Sequence, residues 1–360
     1  MSKKFLTGNQ ALVEGALAVG AEMMTGYPIT PTTEVLEYWA EIASKNPKLK
    51  FLQTEDEMSA GFAMIGGILA GVKSFTATSG PGNVLMQDAF TMAESMRLPT
   101  VAFINQRGGP STGTVIYSQQ EVNLTCFGGN GEGLRIVYSV GNVQEMYDYA
   151  IRAFNSAWKY RFPTFVLADG YSAKTLTEID ASSLAEKQIE IEPSNAYLLK
   201  DNKTNAEKAK CVNMRNCYNL ESELSDLLNH QQEAFNGVSS EIVEYDDYHT
   251  LDAEVVVFAH GNIAISAKQA IDALRDENKK VGMFRPITLN PFPKETAQSV
   301  IKNKKLIVVI ESSLGQFTNM VKTNIYGSTV PIKKIAHPAL GINPDEIYDQ
   351  LNNLLKEIND

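Results

Sequence analysis

The chain has 360 residues, of which 44% are hydrophobic and 21% charged, a composition typical of a globular protein with two domains. Its formal net charge is −10 at pH 7 and its lysines and arginines form no cluster, which excludes an electrostatic nucleic-acid binder. No apolar run reaches the ~20 residues of a membrane span, and the first residues lack the apolar core of a signal peptide, so we expect a cytoplasmic protein without membrane contact.

The first 175 residues alternate short apolar strands with helices. This alternation is typical of an α/β fold with a doubly wound, mainly parallel sheet. The predicted strands lie at 21–25, 50–53, 73–78, 100–104, 135–139 and 164–167. The predicted helices lie at 9–18, 33–43, 57–69 and 83–96, and a further helix begins at 142.

The remainder of the chain divides into two parts. Residues 176–250 are polar and acid-rich, which predicts a linker or insertion with one surface helix at 220–235. Residues 251–360 return to an α/β pattern. Their predicted strands lie at 254–259, 280–284 and 305–310, and their predicted helix lies at 264–275. The sequence therefore predicts two α/β domains, 1–175 and 251–360, joined by the polar stretch.

The chain lacks metal-binding patterns. Its cysteines, Cys126, Cys211 and Cys217, form no Cys-x-x-Cys pair, and they are too few for the four ligands of a cubane iron–sulfur cluster. The histidines are scattered, without the spacing of a metal-binding helix. We therefore expect no metal site or cluster on this chain, and reduced free thiols.

The loop at 26–31 is rigid because it contains two prolines, which fix φ and push each preceding residue into extended geometry. Thr30 is predicted to be the N-cap of the following helix, with Pro31 as its first residue. A helix N-terminus of this kind can bind a small anion such as a carboxylate. Alone, however, the loop favours a capped surface helix.

Further loops follow the next predicted strands, at 54–61, 77–83 and 105–113. Ligands of open α/β sheets bind at the carboxyl ends of the strands. We therefore expect four residues, one from each loop, to face one crevice. These residues are Thr30, Glu57, Gly80 and Arg107.

In this order, the loops at 26–31, 54–61, 77–83 and 105–113, preceded by the segment 8–16, resemble the alpha subunit of the 2-oxoacid:ferredoxin oxidoreductases, which are thiamine-diphosphate enzymes. The resemblance is dense over residues 5–175 and thinner over about 250–360. It implies a pyrimidine-type thiamine-diphosphate-binding domain followed by a domain similar to the C-terminal domain of transketolase. The segments Arg285–Pro293 and Glu311–Gln316 match family patterns in that second domain.

The resemblance implies that Glu57 is the catalytic carboxylate. In thiamine enzymes a glutamate bonded to N1′ of the pyrimidine favours the imino tautomer that removes the C2 proton, and a buried glutamate with a raised pKa suits this task. Glu55 is the alternative candidate, but Glu57 occupies the family's position and is followed by small residues that allow a ring to approach. The non-catalytic alternative is a first-turn glutamate that stabilises the helix dipole.

Thr30 and Arg107 match the residues that hold the carboxylate of the 2-oxo acid in the family. A guanidinium can bind a carboxylate through two hydrogen bonds, whereas an ordinary surface ion pair is the alternative for Arg107. Other residues of the same loops are candidates for the pocket lining, with no role assigned. They are Tyr27, Pro28, Ile29, Gly80, Ser111 and Thr112.

The chain lacks the Gly-Asp-Gly segment with which thiamine enzymes bind the Mg²⁺-diphosphate, since Asp169-Gly170 follows Ala168. The resemblance therefore implies a beta subunit that carries the Mg²⁺-diphosphate side. Iron–sulfur clusters would lie on that chain or on gamma and ferredoxin-like subunits, and this chain alone would be inactive.

The implied reaction is oxidative decarboxylation of a 2-oxo acid to an acyl-CoA and CO₂, with coenzyme A as acceptor and ferredoxin reduced. Pyruvate, branched-chain 2-oxo acids and 2-oxoglutarate share the motif set. The segments 119–121 and 128–132 favour 2-oxoglutarate. Two alternatives stay open: a subunit of a non-oxidative thiamine-diphosphate 2-oxoacid decarboxylase, and a non-catalytic α/β scaffold subunit.

Overall fold

The computed structural model describes residues 3–181 and 215–358. The strands are β1 Lys3–Thr7, β2 Met23–Gly26, β3 Lys50–Gln53, β4 Ser74–Thr78, β5 Val101–Gln106, β6 Ile136–Ser139, β7 Thr164–Asp169, β8 Leu176–Asp180, β9 Tyr245–Tyr248, β10 Val255–Phe258, β11 Val281–Pro286, β12 Thr288–Asn290, β13 Leu306–Glu311 and β14 Ile332–Ala336. The helices are α1 Gly8–Ala18, α2 Thr33–Lys45, α3 Glu57–Leu69, α4 Pro81–Leu85, α5 Gln87–Ser95, α6 Val122–Phe127, α7 Val143–Tyr160, α8 Gly170–Lys174, α9 Glu221–Ile242, α10 Gly261–Asp276, α11 Lys294–Val300, α12 Gln316–Asn324 and α13 Pro344–Glu357.

A seven-stranded sheet forms the centre of the first part of the chain. Its order is β12-β6-β7-β5-β4-β2-β3, and every neighbouring pair is parallel except β12 with β6. The central strands β4, β5 and β7 are buried along their whole length, as expected for a parallel sheet covered on both faces. The predicted doubly wound α/β fold is therefore confirmed.

Most predicted elements are confirmed, and the differences concern their ends and one helix that is divided. The helix predicted at 83–96 is two helices, α4 and α5, which meet at Met86. The glycines of α3 pack closely, as their number predicts: a Cβ on Gly61 would lie 2.7 Å from the Cβ of Ala89, and a Cβ on Gly67 would lie 2.1 Å from Ser74 Oγ. The absence of side chains there lets α3 approach its neighbours.

A five-stranded sheet, β14-β13-β10-β11-β9, forms the centre of the second part, with β9 antiparallel to β11. Of the stretch predicted as a polar linker, residues 182–214 lie outside the described residues. The remainder of that stretch is ordered against both domains. Strand β8 pairs with β1, α9 packs Phe235 against Phe162 with ring centres 5.0 Å apart, and β9 belongs to the second sheet.

Polar contacts join the first and second parts of the chain, in addition to the pairing of β12 with β6. Gln119 exchanges two hydrogen bonds with the backbone of Ser312 and donates a third to the carbonyl of His260. Arg285 and Glu145 form an ion pair in which the arginine is buried. None of the helices in the described part of the chain combines the length and the apolar character that a membrane crossing requires.

Candidate active site

The four predicted loops converge at the carboxyl edge of the seven-stranded sheet. Strands β5, β4, β2 and β3 are neighbours in that order, so the loops that follow them lie side by side. Thr32 Oγ1 donates to the carbonyl of Thr78 at 3.1 Å, and Thr54 N donates to the carbonyl of Gly26 at 3.0 Å. These contacts hold three of the loops together, and the bond from Arg107 to the carbonyl of Thr30 links the fourth loop to them, so the four loops lie together at this edge of the sheet.

Glu57 is the first residue of α3, and its side chain is only 6% exposed. The preceding residue, Asp56, is the N-cap, with its carboxylate accepting from Ser59 N at 2.7 Å. The capping task therefore falls on Asp56, which leaves the carboxylate of Glu57 free. Glu55, the alternative candidate, is exposed.

The surroundings of Glu57 favour its neutral form. Burial raises the pKa of Glu57, the charge of Asp56 adds to the rise, and its own backbone N–H and Arg107 oppose it. Within residues 3–181 and 215–358, its side chain has no hydrogen bond to another residue. Helix α4 approaches through Gly82, where a Cβ would lie 2.7 Å from Glu57 Oε1. The geometry thus provides a buried, unpartnered carboxyl group at the crevice.

Arg107 lies just beyond the end of β5 and is 6% exposed. Its Nη1 donates to the carbonyl of Thr30 at 2.8 Å, which links the loops after β5 and β2. Its Nε finds no acceptor among the described residues although it is buried. A buried guanidinium N–H without an acceptor costs free energy and so marks a place where a ligand oxygen can bind.

The prediction that Thr30 is the N-cap of α2 is wrong. The helix begins at Thr33, and its N-cap is Thr32, whose hydroxyl contacts Thr78 and Ser79. The reason is that Ile29–Thr32 forms a turn, closed by a 2.9 Å bond from Thr32 N to the carbonyl of Ile29, while the carbonyl of Thr30 accepts from Arg107. Thr30 itself is exposed.

The remaining candidate lining residues differ in how they relate to this centre. Gly80 lies against Arg107, because a Cβ there would be 2.7 Å from Arg107 Nε. Tyr27 and Pro28 are exposed and Ile29 is half-buried. Ser111 and Thr112 are exposed in the loop after β5.

A cavity of about 590 Å³ opens beside Thr30. Its wall includes Val115, Ile116, Tyr171 and Lys174. The ring of Tyr171 is stacked on that of the buried Tyr117, 4.3 Å away. The predicted substrate loop therefore borders a mainly apolar cavity.

The segments 119–121 and 128–132, which were predicted to favour 2-oxoglutarate, contact other residues of this chain. Gln120 Oε1 accepts from Gly109 N at 3.1 Å, and Gln119 joins the domains. In the loop 128–132, the carbonyl of Gly128 accepts from the buried Arg135 at 2.6 Å. These residues hold loops in place, so their side chains give no support to a particular substrate.

Sequence reasoning missed Glu121 as a site residue. Its carboxylate is 4% exposed and accepts hydrogen bonds from the backbone N–H groups of both Gly80 and Arg107. No local pattern marks it, since its partners lie 41 and 14 residues away along the chain.

Whether these residues fit thiamine diphosphate depends on the donors that they offer. The buried carboxyl group of Glu57 has no partner and lies beneath a glycine, which fits an aminopyrimidine. The N–H of Arg107 without an acceptor fits a carboxylate substrate. Over residues 3–181 and 215–358, no group of three or more His, Cys, Asp or Glu side chains could hold a metal ion. Asp169 is engaged as the N-cap of α8 and accepts from Asn262. The described residues thus fit the pyrimidine side of the cofactor.

Two protein families match the chain. The family described as pyruvate flavodoxin/ferredoxin oxidoreductase, thiamine diphosphate-binding, matches residues 14–244, and pyruvate:ferredoxin oxidoreductase core domain II matches residues 253–345. Together they include every strand of the seven-stranded and five-stranded sheets except β9.

Curated relatives are similar over most of their length. The ketoisovalerate oxidoreductase subunit VorB of Methanothermobacter marburgensis is 32% identical, over 89% of this chain and 90% of the relative. The 2-oxoglutarate synthase subunit KorA of Methanocaldococcus jannaschii is 33% identical, over 88% of this chain and 90% of the relative.

A solved structure also matches almost the whole chain. It is the 2-oxoglutarate:ferredoxin oxidoreductase from Magnetococcus marinus with 2-oxoglutarate, coenzyme A and succinyl-CoA bound. The TM-score is 0.85 at 25% sequence identity, and the match covers 98% of this chain. The present chain spans 65% of the length of that one.

Proposed function

The chain belongs to the 2-oxoacid:ferredoxin oxidoreductases as an alpha-type subunit of these thiamine-diphosphate enzymes, and on this premise we propose a role for each residue at the crevice. The observation that carries the proposal is the contact between Arg107 and Thr30, beside the buried carboxyl group of Glu57. The family's reaction converts a 2-oxo acid and coenzyme A to an acyl-CoA and CO₂.

Glu57 is the catalytic acid in this proposal. Bound thiamine diphosphate supplies a nucleophilic ring carbon and an electron sink for decarboxylation. Glu57 would hold a proton in a hydrogen bond to the aminopyrimidine, which sets the tautomer of that ring. Its burial and its raised pKa support this role, because both favour the protonated carboxyl group that can donate such a bond.

Arg107 and Thr30 bind the carboxylate of the 2-oxo acid. The unpaired Nε of Arg107 supplies a charge-assisted hydrogen bond, and the exposed hydroxyl of Thr30 supplies a neutral one. The bond from Nη1 to the carbonyl of Thr30 fixes the guanidinium plane before substrate arrives, which reduces the entropy lost on binding. Tyr27, Pro28, Ile29, Gly80, Ser111 and Thr112 line the pocket.

A beta subunit completes the active site, and it carries the Mg²⁺-diphosphate side of the cofactor. Exposed apolar side chains lie on β3, α3 and α4, the helix that holds Glu57 and two elements that contact it, and they give this subunit a surface to cover. They are Leu52, Met58, Val84 and Leu85, each between 42% and 58% exposed. Iron–sulfur clusters on that subunit, or on gamma and ferredoxin-like subunits, pass the electrons to ferredoxin. The free thiols Cys126 and Cys217 fit the reducing cytoplasm as the location of the complex.

We divide the chain by function as predicted. Residues 1–175 hold the pyrimidine and the substrate carboxylate. Residues 251–360 support the loop after β5 through the contacts of Gln119 with Ser312 and His260. The stretch 176–250 connects them, with its last strand, β9, in the second sheet.

The proposed substrate is 2-oxoglutarate. The relative KorA is named a 2-oxoglutarate synthase subunit, and the matching solved structure contains 2-oxoglutarate. A branched-chain 2-oxo acid is the second candidate, because a ketoisovalerate oxidoreductase subunit is similar to nearly the same degree.

The test is anaerobic and uses this chain purified with its partner subunits. Reduction of a viologen dye is followed with coenzyme A, thiamine diphosphate and either 2-oxoglutarate, ketoisovalerate or pyruvate. We expect coenzyme-A-dependent reduction that is fastest with 2-oxoglutarate and that is lost in a Glu57→Gln complex. Preference for another acid would overturn the substrate only. A complex that contains thiamine diphosphate and iron–sulfur clusters, yet reduces no dye, would overturn the oxidoreductase reading for this chain.

A further inference from the structure

Glu121 is a buried carboxylate just behind the proposed substrate site. It immediately precedes α6 and is 4% exposed. Its Oε1 accepts from Gly80 N at 2.9 Å and from Arg107 N at 3.1 Å, and its Oε2 accepts from Asn83 Nδ2 at 3.0 Å. Three N–H groups from two loops therefore converge on one side chain.

Burial of this carboxylate costs free energy unless all three hydrogen bonds are made. A buried carboxylate is normally paired with a cation, yet Glu121 forms no ion pair within the part of the chain that the structure describes. Burial raises the pKa of Glu121, and the bonds from Asn83, Gly80 and Arg107, together with the charge of Arg107, oppose that rise. Truncating Glu121 would leave the N–H groups of Gly80 and Arg107 without their acceptor.

The two backbone N–H groups belong to the residues that determine where the guanidinium lies. Arg107 follows β5, and its carbonyl also accepts from Ser118 Oγ at 2.7 Å, so its main chain is fixed on both sides. Gly80 follows β4, and a Cβ there would lie 2.7 Å from Arg107 Nε. Glu121 thereby fixes the spacing between these strand ends.

We propose that Glu121 is a positioning residue for the 2-oxo acid, acting through Arg107: its carboxylate holds the main chain of Arg107 and Gly80 so that the guanidinium presents its free N–H to the substrate carboxylate. This inference rests on the proposed role of Arg107. It assigns Glu121 a part in substrate affinity without contact to the substrate.

Asn83 provides the means to test the hydrogen bonds themselves. It donates through Nδ2 to Glu121 and to Thr125 Oγ1, and its Oδ1 accepts from Gln87 Nε2 at 2.9 Å. In Glu121→Gln, one amide oxygen can still serve Gly80 and Arg107, but the new NH₂ group then faces the NH₂ group of Asn83. The double variant with Asn83→Asp places a carboxylate at position 83, which accepts from the NH₂ group of the glutamine at position 121. The net charge is then that of the parent, and the hydroxyl of Thr125 can rotate to donate to the new carboxylate.

The experiment uses the complex with its partner subunits and measures kcat, KM for the 2-oxo acid, and equilibrium binding of the 2-oxo acid without coenzyme A. We expect Glu121→Gln to raise KM and Kd about tenfold, the typical effect of disturbing a charge-assisted hydrogen bond, with a much smaller change in kcat. The double variant should return both constants to within about threefold of the parent complex. Glu37→Gln, on the exposed face of α2, is the matched control and should leave all constants unchanged.

The outcomes separate this inference from the proposal that it rests on. Arg107→Gln is measured in parallel; an unchanged KM there would overturn the carboxylate-binding role of Arg107, and the inference with it. A raised KM in Arg107→Gln together with unchanged constants in Glu121→Gln would overturn the inference alone. Failure of Asn83→Asp to rescue a folded Glu121→Gln complex would also overturn it, because the bond pattern would then not be the cause. Thermal unfolding of each complex identifies a variant that lost affinity by unfolding, and the rescue then becomes the deciding measurement.

Discussion

Gly80 lies so close to the side chain of Arg107 that a side chain on the glycine would clash with the arginine. A Cβ built on Gly80 would lie 2.7 Å from Arg107 Nε and 3.2 Å from its Cγ. Gly80 also has φ +51°, a backbone conformation that other residues rarely adopt. The turn after β4 therefore leaves room for the guanidinium, whose Nε is buried and has no acceptor among the described residues.

Replacement of Gly80 by alanine should impair substrate binding. The added Cβ must displace the guanidinium of Arg107 or shift the turn, because no real Cβ lies 2.7 Å from a neighbouring atom. We expect KM for the 2-oxo acid to rise at least about tenfold in the complex, equivalent to roughly 1.4 kcal/mol of lost binding.

Gly66→Ala is the control for the Gly80 variant. Gly66 lies inside α3, and a Cβ there would meet nothing within 4 Å. Alanine at such a helix position should stabilise the chain by roughly 0.5–1 kcal/mol and leave KM unchanged. A Gly80→Ala complex with normal KM would contradict the placement of Arg107 at the substrate.

We expect Glu57→Gln to lower the activity of the complex while it raises the stability of the chain at high pH. Removing the acid should lower kcat by about 10² to 10⁴, the usual range for a lost general acid or base. Because burial raises the folded-state pKa of Glu57, its charge destabilises the fold as pH rises from the ordinary value near 4.5 through that raised pKa. The amide cannot ionise, so the variant should melt at a higher temperature than the parent chain at pH 8 and no higher at pH 4.

The check is to record melting curves of the parent and Glu57→Gln chains at these two pH values and to measure turnover of the corresponding complexes. Glu55→Gln is the matched control, since Glu55 is exposed and two residues away. If Glu55→Gln abolished turnover and Glu57→Gln did not, the assignment of the catalytic carboxylate would have to move to Glu55.

The crevice could be predicted from sequence because it follows from strand order alone. Loops after parallel strands meet at one edge, so Glu57 and Arg107 could be placed together without any knowledge of their contacts. The start of α2 could not be predicted in this way. It depends on the bond from Arg107 to the carbonyl of Thr30, which joins residues 77 positions apart. Local capping preference at Thr30 was overridden by this tertiary contact.

Glu121 illustrates a second limit of sequence reasoning. In the sequence it is one acidic residue after two glutamines, a pattern typical of an exposed turn. Its burial arises only when β4 and β5 bring Gly80 and Arg107 to either side of it. The same holds for Gln119, whose partners Ser312 and His260 lie in the second domain. Residues that position other residues leave no periodic signal, whereas those that line a strand or helix do.

Asp169→Asn should remove a pH-dependent loss of stability. Burial raises the pKa of Asp169 to about 6, against hydrogen bonds from Ser172 that oppose the shift. The folded chain therefore binds a proton more tightly than the unfolded chain, and stability falls as pH rises from about 4 to about 6. The shift of about 2 units corresponds to at most about 3 kcal/mol.

Asparagine can keep the bonds of Asp169, since its oxygen accepts from Ser172 N and Asn262 while its NH₂ group donates to Ser172 Oγ. The variant should thus match the parent near pH 4 and exceed it at pH 7. Chemical denaturation midpoints at both pH values decide the matter. Asp88→Asn, at an exposed position, should show no such difference. Equal stability of Asp169→Asn and parent at pH 7 would mean that Asp169 is charged in the fold without penalty.

We expect the ion pair between Arg285 and Glu145 to stabilise the contact between the two parts of the chain only while both partners are present. Arg285 Nη1 donates to Glu145 Oε1 at 2.9 Å, and Glu145 Oε2 also accepts from Gly141 N at 2.8 Å. Although burial raises the pKa of Glu145, Arg285 and the backbone lower it overall, so the carboxylate is charged at neutral pH. Arg285→Met should therefore lower the free energy of unfolding by roughly 3–5 kcal/mol, because it leaves a largely buried carboxylate without its cation.

The double variant with Glu145→Gln should recover most of that loss. Urea unfolding of the parent, the two single variants and the double variant measures the loss and the recovery. A double variant as unstable as Arg285→Met alone would show that the arginine stabilises this contact by its packing rather than by its charge.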